Sequence, residues 1–184
     1  MNANIKMFAS PEKILSYLHL TPGMKVADFG VGNGDYSLLA AKEVFPNGRV
    51  FAVDIQKDLL DKLAGEAKAK GFYEIVEPIW GDIESRGGVK LADGTVDAII
   101  LANVLFQVDS QYGVALEAKR VLKQNGKVLV VDWKDSFGGL GPHPSQVILP
   151  EKVEQIMVEA GFTKENSFEA GDHHYGQIYV LNKK

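Results

Sequence analysis

The residues best suited to chemistry are Asp28, Gly30, Gly32, Asn33 and Gly34, in the run Val26-Ala27-Asp28-Phe29-Gly30-Val31-Gly32-Asn33-Gly34. Glycines so spaced let a ligand approach the main chain and permit dihedral angles closed to other residues. The dinucleotide spacing G-x-G-x-x-G would put its third glycine at position 35, which is Asp35; the glycine comes one residue early. Carboxylates at Asp28 and Asp35 would also repel a pyrophosphate at close range. A ligand carrying an ammonium and a sulfonium group would be welcome beside Asp28. Asp54 stands twenty residues beyond Gly34, where a carboxylate can accept hydrogen bonds from both hydroxyls of a ribose. Its neighbour Ile55, and then Gly81-Asp82-Ile83, offer apolar contact and an acid for the amino group of an adenine. The pattern describes a nucleoside site with a cationic substituent.

Such residues need a frame that brings them to one edge. Short β-branched apolar runs alternate with helical stretches, which implies a parallel sheet with helices on both faces. Strands are predicted over residues 25–29, 49–54, 73–79, 96–102 and 127–132. Helices are predicted over 11–18, 35–45, 57–70, 111–123 and 150–160, with Ser10-Pro11 opening the first and Gly71 closing the third. Gln124-Asn125-Gly126 reads as a turn before the fifth strand, and 134–149 as a long ordered loop rich in glycine and proline. The tail, 162–169 then 175–181, reads as two strands joined at Gly171-Asp172. So short a link makes them antiparallel. The predicted architecture is a single α/β domain over residues 1–184, a doubly wound sheet ending in an antiparallel hairpin, with 1–24 as helix and lead-in.

Bulk composition narrows the function classes. A chain of 184 residues suffices for one domain with a substantial core. It has no cysteine, which excludes disulfides, thiolate metal sites and thiol nucleophiles. No apolar run has the length of a membrane span, and residues 1–10 lack a secretory pattern, so a cytoplasmic location without membrane contact is expected. The net charge of −4 and the lack of a basic, aromatic-laced block argue against a nucleic-acid partner.

Taken together, these motifs resemble the class I S-adenosylmethionine (SAM)-dependent methyltransferases. Asp28 to Gly34 matches the family's first motif, Val53-Asp54 its ribose acid, Gly81-Asp82-Ile83 its adenine site and 96–100 its fourth strand. Leu122 to Lys127 resembles the turn before its fifth strand, with Asn125 where proline and glycine are more usual. Asp132-Trp133-Lys134, Gly141-Pro142 and His174-Tyr175-Gly176 resemble small bacterial members of the ubiquinone/menaquinone-biosynthesis type. The resemblance implies a Rossmann-like seven-stranded sheet of order 3-2-1-4-5-7-6 with strand 7 antiparallel. It also implies SAM as cofactor, S-adenosylhomocysteine as product and a small-molecule methyl acceptor, in a monomer or homodimer.

Ligands of such sheets lie beyond the carboxyl ends of the strands, which gathers Asp28, Asp54, Asp82, Asn103 and Asp132 along one edge. The start of the reversed last strand, near His173 to Tyr175, falls there too. An acceptor pocket is therefore expected from 103–106, 132–134, the 134–149 loop with His143, and 173–175. Methyl transfer from a sulfonium is an in-line displacement that gains most from positioning and exclusion of water. Where the acceptor must lose a proton, His174, His143 and His173 are candidate bases, and Asp132 is a base or orients one of them. The same groups as metal ligands lack supporting spacing beyond adjacent His173 and His174, and no metal is expected. Asn103-Val104-Leu105-Phe106 lacks the prolines of the Asn-Pro-Pro-Tyr motif used for exocyclic nitrogens, and the lack of cysteine disfavours cytosine C5 and thiol-dependent arsenite routes. A non-catalytic SAM-binding module and an NAD-linked oxidoreductase are the alternatives; the displaced glycine and Asp28 oppose the second.

Overall fold

Strands covered on both faces read as near-continuous apolar runs, as residues 26–27, 50–53, 98–102 and 128–131 do in the central strands here. β1 (Lys25–Phe29), β2 (Arg49–Asp54), β3 (Val76–Trp80), β4 (Val96–Ala102) and β5 (Leu122–Trp133) run parallel; β6 (Thr163–Glu169) and β7 (His174–Val180) close the sheet. The strand order is β3-β2-β1-β4-β5-β7-β6, with β7 antiparallel to both neighbours. The structure is a computed structural model that describes residues 10–137, 139 and 141–182. The lead-in predicted at 1–9 lies outside them.

Alternation along each strand divides the core between two helical layers. Val26, Val50, Ala52, Ile100 and Val131 pack with α1 (Pro11–Ser16), α2 (Asp35–Val44) and α3 (Lys57–Ala69). Ala27, Phe51, Val53, Ile99 and Val130 pack with α4 (Gln111–Val121) and α5 (Pro150–Ala160). The helices begin and end on local chemistry. The Ser10 side chain caps the amide of Lys13 ahead of Pro11, and Gly161, at φ 102°, turns the chain out of α5.

Most predicted boundaries shift by a residue or two, and three differences carry a physical reason or a change of type. Residues 73–75 form a turn, in which Ile75 and Val76 both donate to the Phe72 carbonyl, so β3 begins only at Val76. The first helix ends at Ser16. Most informative is Gln124-Asn125-Gly126, which is a bulge inside β5 and not a turn before it. Asn125 has φ 61° and donates its amide to the Leu181 carbonyl, while Leu181 donates to that of Gly126. The register against β4 jumps there, from Val96↔Leu122 to Ala98↔Lys127.

The link from β3 to β4 carries no helix, and one buried ion pair holds it down. Glu117, 1% exposed on α4, accepts from the amides of Gly87 (2.9 Å) and Val89 (3.1 Å) and from Arg120 Nε and Nη2 (2.9 and 2.7 Å). Arg120 Nη1 then donates to the Leu91 carbonyl and to Asp93. Removing Glu117 strands two amides and a guanidinium. Glu117→Ala should lower unfolding stability by about 3–5 kcal/mol in urea denaturation; a loss under about 1 kcal/mol would show that the loop does not depend on this pair.

Candidate functional site

At the carboxyl ends of β1, β2 and β4 the sheet opens into a cavity of about 500 Å³, within the range that takes a drug-sized ligand. It sits where the chain leaves β1 on one side for β2 and, later, on the other for β4, as ligand sites of open α/β sheets do. Asp28, Gly30, Gly32, Asn33, Asp54, Ile55, Asp82, Ile83 and Asn103 all line it. Gly34, predicted with them, does not. It caps α2 at φ 86°, and a Cβ there would stand 2.8 Å from the Leu63 side chain, so this glycine serves helix packing.

The turn itself is a ligand cradle. Gly30 and Gly32 have φ of 85° and 52°, and a Cβ on Gly32 would meet no atom within 4 Å, which leaves the main chain open to the cavity. Asp28 is 1% exposed and accepts from Ser37 Oγ (2.6 Å). Burial raises its carboxyl to about 7 despite that bond, and the nearby Asp54 adds to the rise. Asp54 accepts from the Gln56 amide through Oδ1 alone, so Oδ2 has no partner among the described residues. Asp82 bonds Ser85 Oγ and the Glu84 amide, which holds its carboxyl below the usual range. It therefore orders its own loop as well as lining the cavity.

Asn103 stands at the end of β4 with φ 55°, a left-handed conformation uncommon outside glycine. Its Oδ1 is buried and has no hydrogen-bond partner among the described residues. A buried acceptor left unsatisfied is costly unless a ligand donates to it. Its carbonyl accepts from Gln107 Nε2 (2.7 Å), on a short 3-10 turn, Leu105–Gln107.

Of the three predicted catalytic side chains, only His174 lines the cavity. It is 2% exposed and packs against Trp133, with ring centroids 4.1 Å apart. Burial lowers its imidazole to about 4, with His173 adding to the effect, so it is neutral at pH 7. Asp132 lies behind the wall, not on it. Its carboxylate accepts from the amides of Leu105 (3.0 Å) and Trp133 (2.8 Å); burial raises it to about 7. It braces the 3-10 turn that holds Asn103. His143 is exposed and caps a second 3-10 turn, Pro144–Gln146, through Ser145. His173 is bonded to Asp135 (2.7 Å) and stacked on Phe137, away from the cavity.

Thus the expected acceptor wall is only partly met: Asn103, Val104 and His174 line the cavity, while 105–106, 132–134, His143 and Tyr175 do not. Pro11 and Ile14 of α1, Tyr36 of α2 and Ala170 take their place. Tyr36 directly follows the glycine turn and Asp35, which is a legible signal. Nothing in α1 marks it as a wall.

The donor set suits the cofactor implied by the sequence. Asp28 and the orphaned Asn103 Oδ1 can face an ammonium, Asp54 Oδ2 a ribose, and Ile55, Ile83 and Asp82 an adenine. Comparison with known proteins agrees. The profile of a methyltransferase-domain family matches residues 20–176. A SAM-dependent methyltransferase of known structure from Aquifex aeolicus superposes with a TM-score of 0.85 at 28% identity, covering 98% of this chain and 94% of that one. An arsenite methyltransferase of Halobacterium salinarum is 34% identical over 117 residues, 64% of this chain and 29% of that protein. A demethylmenaquinone methyltransferase of Symbiobacterium thermophilum is 26% identical over 125 residues, 68% of this chain and 49% of that protein. The chain thus spans less than half the length of these two curated relatives.

The shifted groups predict how the unliganded protein responds to pH. Asp28 and Asp132 near 7 bind protons more readily folded than unfolded, so they add stability as pH falls below about 8. His174 near 4 opposes this only below its unfolded value of about 6.5. The melting temperature should therefore rise between pH 8 and about pH 6.5; a fall across that range would show both carboxyls ionising normally.

Proposed function

The chain belongs to the class I SAM-dependent methyltransferases, and we propose that it transfers the methyl group of SAM to a small-molecule acceptor bound at the α1 end of the same cavity. The observation that carries this reading is the joint lining of one cavity by the glycine turn, Asp54, Asp82 and Asn103. The relatives' names span arsenite and a demethylmenaquinone as acceptors. With no cysteine in the chain, the second chemistry is the nearer guide, in keeping with the motifs shared with the quinone-biosynthesis type.

SAM supplies an electrophilic methyl on a sulfonium, a good leaving group. The residues of the chain have the remaining tasks. Asp54 holds the ribose hydroxyls through Oδ2, and Ile55 and Ile83 flank the adenine. Asp28 and Asn103 Oδ1 would take the ammonium, in the cavity that His174 also lines. Val131, Ala170 and His174 exclude water from the point of transfer. His174, neutral and buried, can accept a proton from the acceptor at a ring nitrogen or hold the acceptor's hydrogen in line. Asp132 acts through the backbone of the 3-10 turn, as a positioning residue. His143 keeps a role only if the 134–149 loop moves toward the cavity with an acceptor bound.

Calorimetric titration with SAM, S-adenosylhomocysteine and NAD in parallel tests the cofactor. The first two should bind and NAD should not; binding of NAD alone would overturn the reading. Asp54→Ala should weaken SAM by about tenfold to a hundredfold, the worth of hydrogen bonds to a charged group. In His174→Ala, turnover should fall while SAM binding persists; unchanged turnover would remove the residue from catalysis. Asp28 gives a further check. Near 7 in the free protein, it should release a proton when a cation binds beside it. At pH 7 the binding heat should then vary with the buffer's ionisation heat, and Asp28→Asn should abolish that variation. Buffer-independent heats in the parent protein would rule out this pairing.

A further inference from the structure

The charge of the cavity restricts what can be methylated. Five carboxylates line it (Asp28, Asp35, Asp54, Asp82 and Glu84), and among the described residues no lysine or arginine does. The nearest cations are committed elsewhere: Lys134 pairs with Glu169 at 2.6 Å, and Lys13 on α1 is exposed. Lys57 and Lys90 lie outside the lining, with their Nζ atoms 4.4 and 4.7 Å from the centroid of the Trp80 ring. The end remote from Asp82 is walled by Pro11, Ile14, Tyr36, Val131, Ala170 and His174. These offer apolar surface, a phenol and an imidazole that burial keeps neutral.

Resting on the methyl-transfer reading, we propose that the acceptor carries no anionic group: it is an uncharged, largely apolar small molecule that presents a hydroxyl or amine to the cavity. A carboxylate or phosphate at this end would be desolvated against apolar walls with no counter-ion among the described residues, in a cavity whose charged lining is otherwise acidic, an arrangement that suppresses wrong partners strongly. SAM itself escapes the penalty, because its sulfonium and ammonium outnumber its one carboxylate. A hydroxyl or amine has partners in Tyr36 and His174, and an apolar body has Pro11, Ile14, Val131 and Ala170.

The test uses the full chain saturated with S-adenosylhomocysteine, with saturation first verified by calorimetry. Failure at that step would count against the methyltransferase reading itself. Matched probes are then titrated by ligand-observed NMR: phenol and its para-carboxylate, aniline and its para-carboxylate, indole and an indole carboxylate. The neutral member of each pair should bind, with the carboxylate at least about tenfold weaker, a gap that narrows at high salt. Pro11→Lys, which adds a cation to the wall at the helix start, should narrow the gap within each pair severalfold by favouring the carboxylate over its neutral partner. Carboxylates that bind as tightly as their partners, or neutral probes that do not bind at all, would overturn the proposal.

Discussion

Between β1 and β4 the chain reverses its direction of winding, and the site depends on that reversal. β2 and β3 are added on one side of β1, after which the chain crosses to lay down β4 on the other. Loops leaving adjacent parallel strands in opposite directions cannot cover the gap between them. The crevice follows from topology before any side chain is considered. Asp28, paired in register with Ala52 on one side and Ile100 on the other, is held at its floor by two apolar neighbours.

That placement sets the electrostatics. A carboxylate kept in an apolar sheet edge is desolvated, which is why Asp28 titrates near neutrality and responds to whatever charge enters beside it. Asp132 reaches a similar value from a different role: it sits between β5 and the turn after β4 and spends its oxygens on two amides. The two acids show that a raised pKa does not by itself mark a reacting group. Geometry separates them, since one lines the cavity and the other braces its rim.

Much of this was readable from residue order. The parallel strands and the hairpin tail follow from local periodicity and turn signals, and nine of the ten residues assigned to the cofactor line one cavity, because glycine spacing and polar residues at strand ends are local signals. Gly34 lies outside the lining, and its spacing is as fitting for a helix cap packed on Leu63 as for a ligand contact. Asn125-Gly126 carries the composition of a turn, and only pairing with Leu181, far along the chain, makes it a bulge. The cavity wall beside His174 was the least legible part. Pro11, Ile14 and Ala170 have no chemistry to announce them, and they meet through tertiary packing alone; Tyr17 of the segment after α1 stacks on Phe168 of β6 at 3.8 Å.

The antiparallel hairpin has a consequence for inheritance of the site. Along β7, His174 and Ile178 face the α1–α3 layer, whereas Tyr175 and Tyr179 face the α4–α5 layer, where Tyr175 bonds the Ile148 carbonyl. A strand has period two, so sliding β7 by one residue past Trp133 would exchange the imidazole for a neighbour of different size and proton affinity. The pairing of β7 with β5 is regular throughout, whereas its pairing with β6 shifts between Lys164 and Asn166, at the far end of the hairpin. A slip in how β7 pairs with β5 would therefore rewrite the cavity wall without changing a single residue that lines it.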